Sequence, residues 1–241
     1  MARYISFSLI FFYTSLFGDS YNYEFNWFKI PVAEFTITAN LAYPYREKIE
    51  FELKTKGPLS IYREYFISGY IKRISGNSWV YYLSGNDRGQ PEKKHIIYYL
   101  DSHPEIKEYV DDGGYEQISI DKKKDIGAID PFTVLIRVID SIFNKQDCSS
   151  SYLIMDGKRR YTIQVKHINN KDSYKDGDFQ CRFNILDMDQ KENIQYENKW
   201  PYKGNSKLFV DIWFSSTPQN IPKRFKIQTP IGGIVGKLVV K

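Results

Sequence analysis

Alternation of apolar and polar residues, sustained through most of the chain, constrains this sequence more than any other feature. In residues 32–43, Ala33, Phe35, Ile37, Ala39, Leu41 and Tyr43 are apolar while Glu34, Thr36, Thr38 and Asn40 are polar. Successive side chains of an extended chain point to opposite faces, so this pattern sets one face in a core and the other in water. Ile49, Phe51 and Leu53 alternate with Glu50, Glu52 and Lys54, and Tyr161, Ile163 and Val165 with Thr162, Gln164 and Lys166. The register recurs in residues 208–214 and 224–228, and Asp156-Gly157 is the dipeptide of a tight hairpin turn. The 20 Tyr, 16 Phe and 4 Trp suit half-buried pleated surfaces. These segments predict about ten to twelve consecutive antiparallel strands.

One segment breaks the period of two. In residues 130–144 Phe132, Leu135, Ile136, Ile139, Ile142 and Phe143 recur at helical spacing, behind Asp130 as N-cap and Pro131 at the first helical position. Arg137, Asp140, Ser141 and Asn144 make the opposite face, so the helix is expected to lie on the sheet. A shorter helical turn is expected near residues 59–66, behind Gly57-Pro58, and residues 187–206 read as a long surface connection. The fold class is mainly β: one large, strongly curved antiparallel sheet, an open or half-closed barrel, wrapping one amphipathic helix. A sandwich is the second reading.

The N-terminus carries an address. Arg3 precedes the uncharged, mostly apolar stretch 4–17, and Gly18-Asp19-Ser20 places small residues before a cut at Tyr21. That is the pattern of a secretory signal peptide over residues 1–20, leaving one domain over 21–241. The stretch falls short of the roughly 20 apolar residues that span a bilayer, which makes an uncleaved anchor the weaker alternative. The expected location is the periplasm, with membrane contact only in transit. Cys148 and Cys181 are the only cysteines, and an even count in an oxidising compartment favours a disulfide over two free thiols.

Motifs of chemistry are missing. Gly232, Gly233 and Gly236 are followed by Leu238, Val239 and Val240 rather than by a helix, so they read as a terminal strand with close approaches and not as a phosphate loop. His95, His103 and His167 lack metal-ligand spacing, and Asp111-Asp112 before Gly113-Gly114 reads as a turn. Neither a catalytic residue, a metal site nor a cofactor is assigned. The net charge of +5 comes without a contiguous basic stripe. Lys122-Lys123-Lys124 and Lys158-Arg159-Arg160 are short, far apart and flanked by acids, which argues against nucleic acid as a partner.

Several segments together resemble the bacterial domain-of-unknown-function family 3108. The resemblance begins at Tyr23-Glu24-Phe25-Asn26-Trp27-Phe28-Lys29-Ile30-Pro31-Val32-Ala33-Glu34-Phe35, similar to the family's opening hairpin. It continues through Asp130-Pro131-Phe132, Cys148, Asp156-Gly157-Lys158-Arg159-Arg160-Tyr161 and Cys181. It closes on Asp211-Ile212-Trp213-Phe214, Ile221-Pro222-Lys223-Arg224 and residues 232–238. Ala33 stands where the family often has glycine, and Thr217-Pro218-Gln219-Asn220 occupies the stretch before Ile221-Pro222 where many members carry an acidic residue. The resemblance implies an exported envelope protein with a curved antiparallel sheet, similar in general shape to periplasmic lipoprotein carriers, and no established activity.

More aromatic strand residues are present than one helical stripe can cover. The leading expectation is therefore non-catalytic binding of a lipid or another hydrophobic small molecule in the concave face. Its lining would be Phe35, Ile37, Phe51, Leu53, Tyr161, Ile163, Trp213 and Phe225, closed at one end by Leu135 and Ile139, with Arg137 or Lys166 at the rim to meet a head group. The alternative is a structural module docking another envelope protein through a sheet edge or through residues 187–206. An enzyme is the third reading, and it requires a cleft of perturbed titratable groups.

Overall fold

A computed structural model describes residues 18–39, 47–111, 117, 119–157, 159–168, 179–186, 209–216, 220–229 and 232–239. The stretch 1–17 and the whole connection 187–208 lie outside the described residues, as do residues 112–116 and 217–219.

The alternating segments form thirteen described strands: β1 (Asp19–Trp27), β2 (Ile30–Ala39), β3 (Lys48–Thr55), β4 (Tyr65–Ser75), β5 (Ser78–Asp87), β6 (Gln90–Tyr99), β7 (Glu105–Asp111), β8 (Ser150–Met155), β9 (Arg160–His167), β10 (Phe179–Leu186), β11 (Phe209–Phe214), β12 (Pro222–Thr229) and β13 (Gly232–Val239). Two helices interrupt them, the single-turn α1 (Gly57–Tyr62) and α2 (Pro131–Lys145). All strands join one antiparallel sheet in the order β7-β6-β5-β4-β3-β2-β1-β13-β12-β11-β10-β9-β8. Strand β1 already includes Asp19 and Ser20, opposite Ala39 and Thr38.

Tight turns set the register. Phe28 and Lys29 between β1 and β2, and Arg88 and Gly89 between β5 and β6, all have positive φ. That backbone twist matches the twist of the strands it joins. The Asp156-Gly157 connection holds its shape by the Arg159 backbone N–H donating to Asp156 Oδ1 (2.8 Å), with Gly157 at φ +87°. Cys148, just ahead of β8, is bonded to Cys181 in β10, their Cα atoms 6.3 Å apart.

Among the described residues the sheet is not closed by strand pairing, and β7 and β8 are its edges. The segment ahead of α2 fills the seam. Ile129 exchanges backbone hydrogen bonds with β8, its N–H to the Leu153 carbonyl (3.0 Å) and its carbonyl from the Met155 N–H (3.2 Å). From the other side, the Tyr98 hydroxyl of β6 donates to the Met155 carbonyl (2.6 Å). Arg160 of β9 clasps the buried Asp125 through both its oxygens (2.5 and 2.7 Å).

Helix α2 occupies the concave side. Asp130 caps it, accepting from the Thr133 N–H (2.8 Å), and Gln146 ends it in the left-handed region. The sequence pattern predicts a stripe through Phe132, Leu135, Ile136, Ile139, Ile142 and Phe143 with Arg137 and Asp140 in water. The buried set is instead Thr133, Val134, Val138, Ile139 and Ile142. Phe143 is exposed, and Arg137 and Asp140 are half-buried. A sheet that rolls around a helix covers it on several sides, so a single-stripe reading places the wrong edge of the helix outward. Among the described residues no helix is long and apolar enough to cross a membrane.

Candidate functional site

The inward positions of β4, β5 and β6 change character along the strands. On β6, Ile96 and Tyr98 are wholly buried, yet Glu92 and Lys94 face the same way and are only 6% and 5% exposed. On β5 the inward series is Trp79, Tyr81 and Leu83. Along these strands the described interior runs from a cavity at one end, through an apolar middle against α2, to a cavity at the other end.

The middle is the place expected to bind a hydrophobic ligand. Phe35, Ile37, Phe51, Leu135 and Ile139 do converge there, with Phe132 stacked on Phe51 at 4.1 Å between ring centroids. The space left among them is about 20 Å³, which is the room of a single water and not of an acyl chain. Leu53 packs on the same core beside Phe35. Ile163 and Phe225 belong to the buried wall, Phe225 edge-on to Tyr23 at 5.2 Å. Tyr161 lines one of the end cavities instead. Trp213 lies between the buried Ile212 and Phe214 and so points to the outer face, where the Arg224 guanidinium sits 4.9 Å from its ring. Lys166 is exposed on β9, opposite Arg182.

The cavity at the Trp79 end measures about 260 Å³ and is built around Arg137. Its guanidinium lies over the Trp79 ring at 5.4 Å. The platform is rigid: the Trp79 indole N–H donates to Asp130 Oδ2 (3.1 Å), and the ring stacks on Tyr98 at 5.9 Å. Burial pushes the Asp130 carboxyl up, opposed by its bonds from Thr133 and Trp79. Burial likewise lowers the Arg137 guanidinium, opposed by the fields of Tyr152 and Asp130. Among the described residues no hydrogen bond or ion pair engages the Arg137 guanidinium. Ile49, Ile71 and Ile136 line both this cavity and the apolar middle, while Glu47 and Arg73 stand exposed at its rim.

The cavity at the other end measures about 320 Å³ and is densely charged. Lys94 meets Glu92 at 3.4 Å, and the Tyr65 hydroxyl donates to Glu92 Oε2 (3.2 Å). Arg63 donates to both oxygens of Asp87 (3.0 and 2.5 Å), and Arg159 donates to Asp156 from Nε (3.1 Å) and Nη2 (2.8 Å). Burial holds the Tyr65, Tyr81 and Tyr161 hydroxyls well above the usual tyrosine range.

Sequence reasoning placed Arg137 at a rim but missed Trp79, Glu92 and Lys94. Residues 79–83 are a continuous apolar run and 90–95 a polar one, and alternation says nothing about faces within either. The three histidines lie apart, His95 edge-on to Tyr82, His103 beside Ser102 and His167 against Phe179. Among the described residues no group of His, Cys, Asp and Glu converges as metal ligands.

Comparison with curated proteins gave no match. Among solved structures the chain is similar to a β-barrel-like protein of the domain of unknown function DUF1849 from Brucella abortus, with a TM-score of 0.52. The two are 10% identical, and the similarity covers 91% of this chain and 94% of that one. At that identity the likeness concerns the fold, a rolled antiparallel sheet. A family model described as a protein of unknown function, DUF3108, matches residues 20–239, nearly the whole chain, and the protein therefore belongs to the DUF3108 family.

Proposed function

We propose that this protein is a non-catalytic, exported envelope protein that binds an anionic amphiphile, its acidic head on Arg137 and its first carbons against Ile49, Ile71 and Ile136. The observation that carries the reading is the guanidinium itself. It is half-buried over Trp79, it faces a cavity of about 260 Å³, and no described residue accepts from it. A guanidinium presents five N–H donors in a planar fork, and taking it from water without an acceptor is costly. A carboxylate or phosphate resolves that cost with two parallel bonds.

The apolar residues shared with the middle of the molecule set the ligand's other half. Each methylene removed from water there contributes about 0.8 kcal/mol. The filled middle limits the tail to a short one unless α2 shifts. Export is supported by the apolar stretch behind Arg3 and by the Cys148–Cys181 bond, since such bonds persist in oxidising compartments.

Calorimetric titration of detergent-free protein with octanoate, octanol and octylamine tests the reading. Octanoate is expected to bind, octanol about tenfold more weakly, and octylamine not at all. Arg137→Gln is expected to make octanoate and octanol equivalent. Equal affinity of the unaltered protein for the acid and the alcohol would remove Arg137 as the anchor, and the module docking another envelope protein would then lead.

A further inference from the structure

The charged cavity at the opposite end of β4–β6 shares no lining residue with the Arg137 cavity. We propose that it is a second binding site, for a small polyhydroxylated molecule of the saccharide class. Its volume of about 320 Å³ lies within the range of small-molecule sites. Access is graded, from Arg63 at the rim, its side chain 54% exposed, to Tyr81 and Tyr161 at the floor, only 3% and 6% exposed.

The charge pattern selects the ligand. Three ion pairs and a fourth carboxylate surround the space: Arg63 with Asp87, Lys94 with Glu92, Arg159 with Asp156, and Asp111, which accepts from the Tyr109 hydroxyl (3.4 Å). Lys94 and Glu92 are both buried, and a buried pair costs desolvation on both partners, so a core that needed only stability does better with apolar side chains packed solid. Here the pairs border open volume instead. A singly charged ligand that enters between Lys94 and Glu92 displaces one of them and strands the other, which is penalised heavily in a buried setting. A hydroxyl avoids that conflict. It donates to a carboxylate and accepts from the neighbouring cation, so a molecule carrying several hydroxyls inserts between both members of a pair and leaves each satisfied.

Aromatic surfaces supply the remainder. The Tyr65 ring lies 5.8 Å from the Arg63 guanidinium, and the Tyr161 ring lies 5.8 Å from that of Arg159. Phe132 also lines the cavity. Flat rings beside bidentate donors and acceptors suit a pyranose, which presents C–H faces flanked by an equatorial rim of hydroxyls.

Titration of the full protein with glucose, N-acetylglucosamine, sucrose and trehalose, followed by calorimetry and by tyrosine-ring NMR shifts, tests the proposal. Acetate and propylamine serve as singly charged controls. At least one sugar is expected to bind in the millimolar range or tighter and to shift Tyr65 and Tyr161, with neither control competing. Tyr65→Phe keeps the ring and removes the hydroxyl on Glu92, and is expected to weaken binding about tenfold. Arg63→Ala, at the exposed rim, is expected to act in the same direction, and Arg137→Gln to leave sugar binding unchanged. Absence of binding by every sugar in the panel, stronger binding of acetate or propylamine, or affinity indifferent to both Tyr65→Phe and Arg63→Ala overturns it.

Discussion

Tyr23 is 1% exposed on β1, and its hydroxyl has no hydrogen-bond partner among the described residues. The ring earns its place against Phe35 and edge-on to Phe225, while the oxygen loses its water and gains nothing. Tyr23→Phe removes only that oxygen and is expected to raise unfolding stability by about 1 kcal/mol in urea titrations. A loss of stability would mean that the hydroxyl is engaged. Arg137 is the reverse case, a polar group whose exposed donors face a cavity rather than a packed wall. The sequence pattern set Arg137 on the water-facing side of the helix, whereas it is half-buried over Trp79, because the rolled sheet covers that edge as well. Glu92 and Lys94 were not readable, because the first part of β6, Gln90-Pro91-Glu92-Lys93-Lys94-His95, has no apolar residue on its inward face, and the run Ile96-Ile97-Tyr98-Tyr99 that follows is apolar on both.

Strand β13 shows how a single missing side chain shapes an element. Gly236 pairs with Phe25 on one side and Phe225 on the other, and a Cβ on it would come within 2.5 Å of the Phe25 ring. Gly236→Ala is expected to cost about 1 to 3 kcal/mol. Gly76→Ala, in a turn where a new Cβ meets nothing within 4 Å, is expected to change stability by less than about 0.5 kcal/mol. Chemical denaturation of the two variants side by side checks the contrast, and equal effects would show that the Phe25 ring moves aside freely. The sequence reading of Gly232, Gly233 and Gly236 as a strand with close approaches agrees with this geometry. Helix α2 was legible in its cap and length, since Asp130 and Pro131 act locally. Its buried face was not, because that depends on how far the sheet rolls, and the roll is a property of thirteen strands together.

Across the whole molecule, burial holds the hydroxyls of Tyr23, Tyr65, Tyr81, Tyr98 and Tyr161 above the ordinary value of 10.0. Above that pH an unfolded chain releases protons that the folded chain retains, so stability is intact below it and falls as pH rises. The slope is about 1.4 kcal/mol per pH unit for each tyrosine. Alkaline unfolding is therefore expected to be steep and to coincide with ionisation of these five tyrosines, followed by their ring NMR signals; their ionisation with the fold intact would contradict it. The strand order has a consequence of another kind. Every neighbouring pair in the sheet is also adjacent in sequence except β1 with β13. These two run antiparallel, with Asn22 opposite Val239, so the start of one lies beside the end of the other. Joining those ends by a short linker and cutting between β7 and α2 rewrites the chain as a circular permutant, α2 first and then thirteen strands each paired with the next, with α1 still between β3 and β4. Its one distant pairing becomes a hairpin, and the cost of closing that loop is removed from the folding barrier. The permutant is expected to reach the same fold and to refold faster than the parent in stopped-flow dilution from urea, whereas an unchanged rate would place β1·β13 pairing after the transition state.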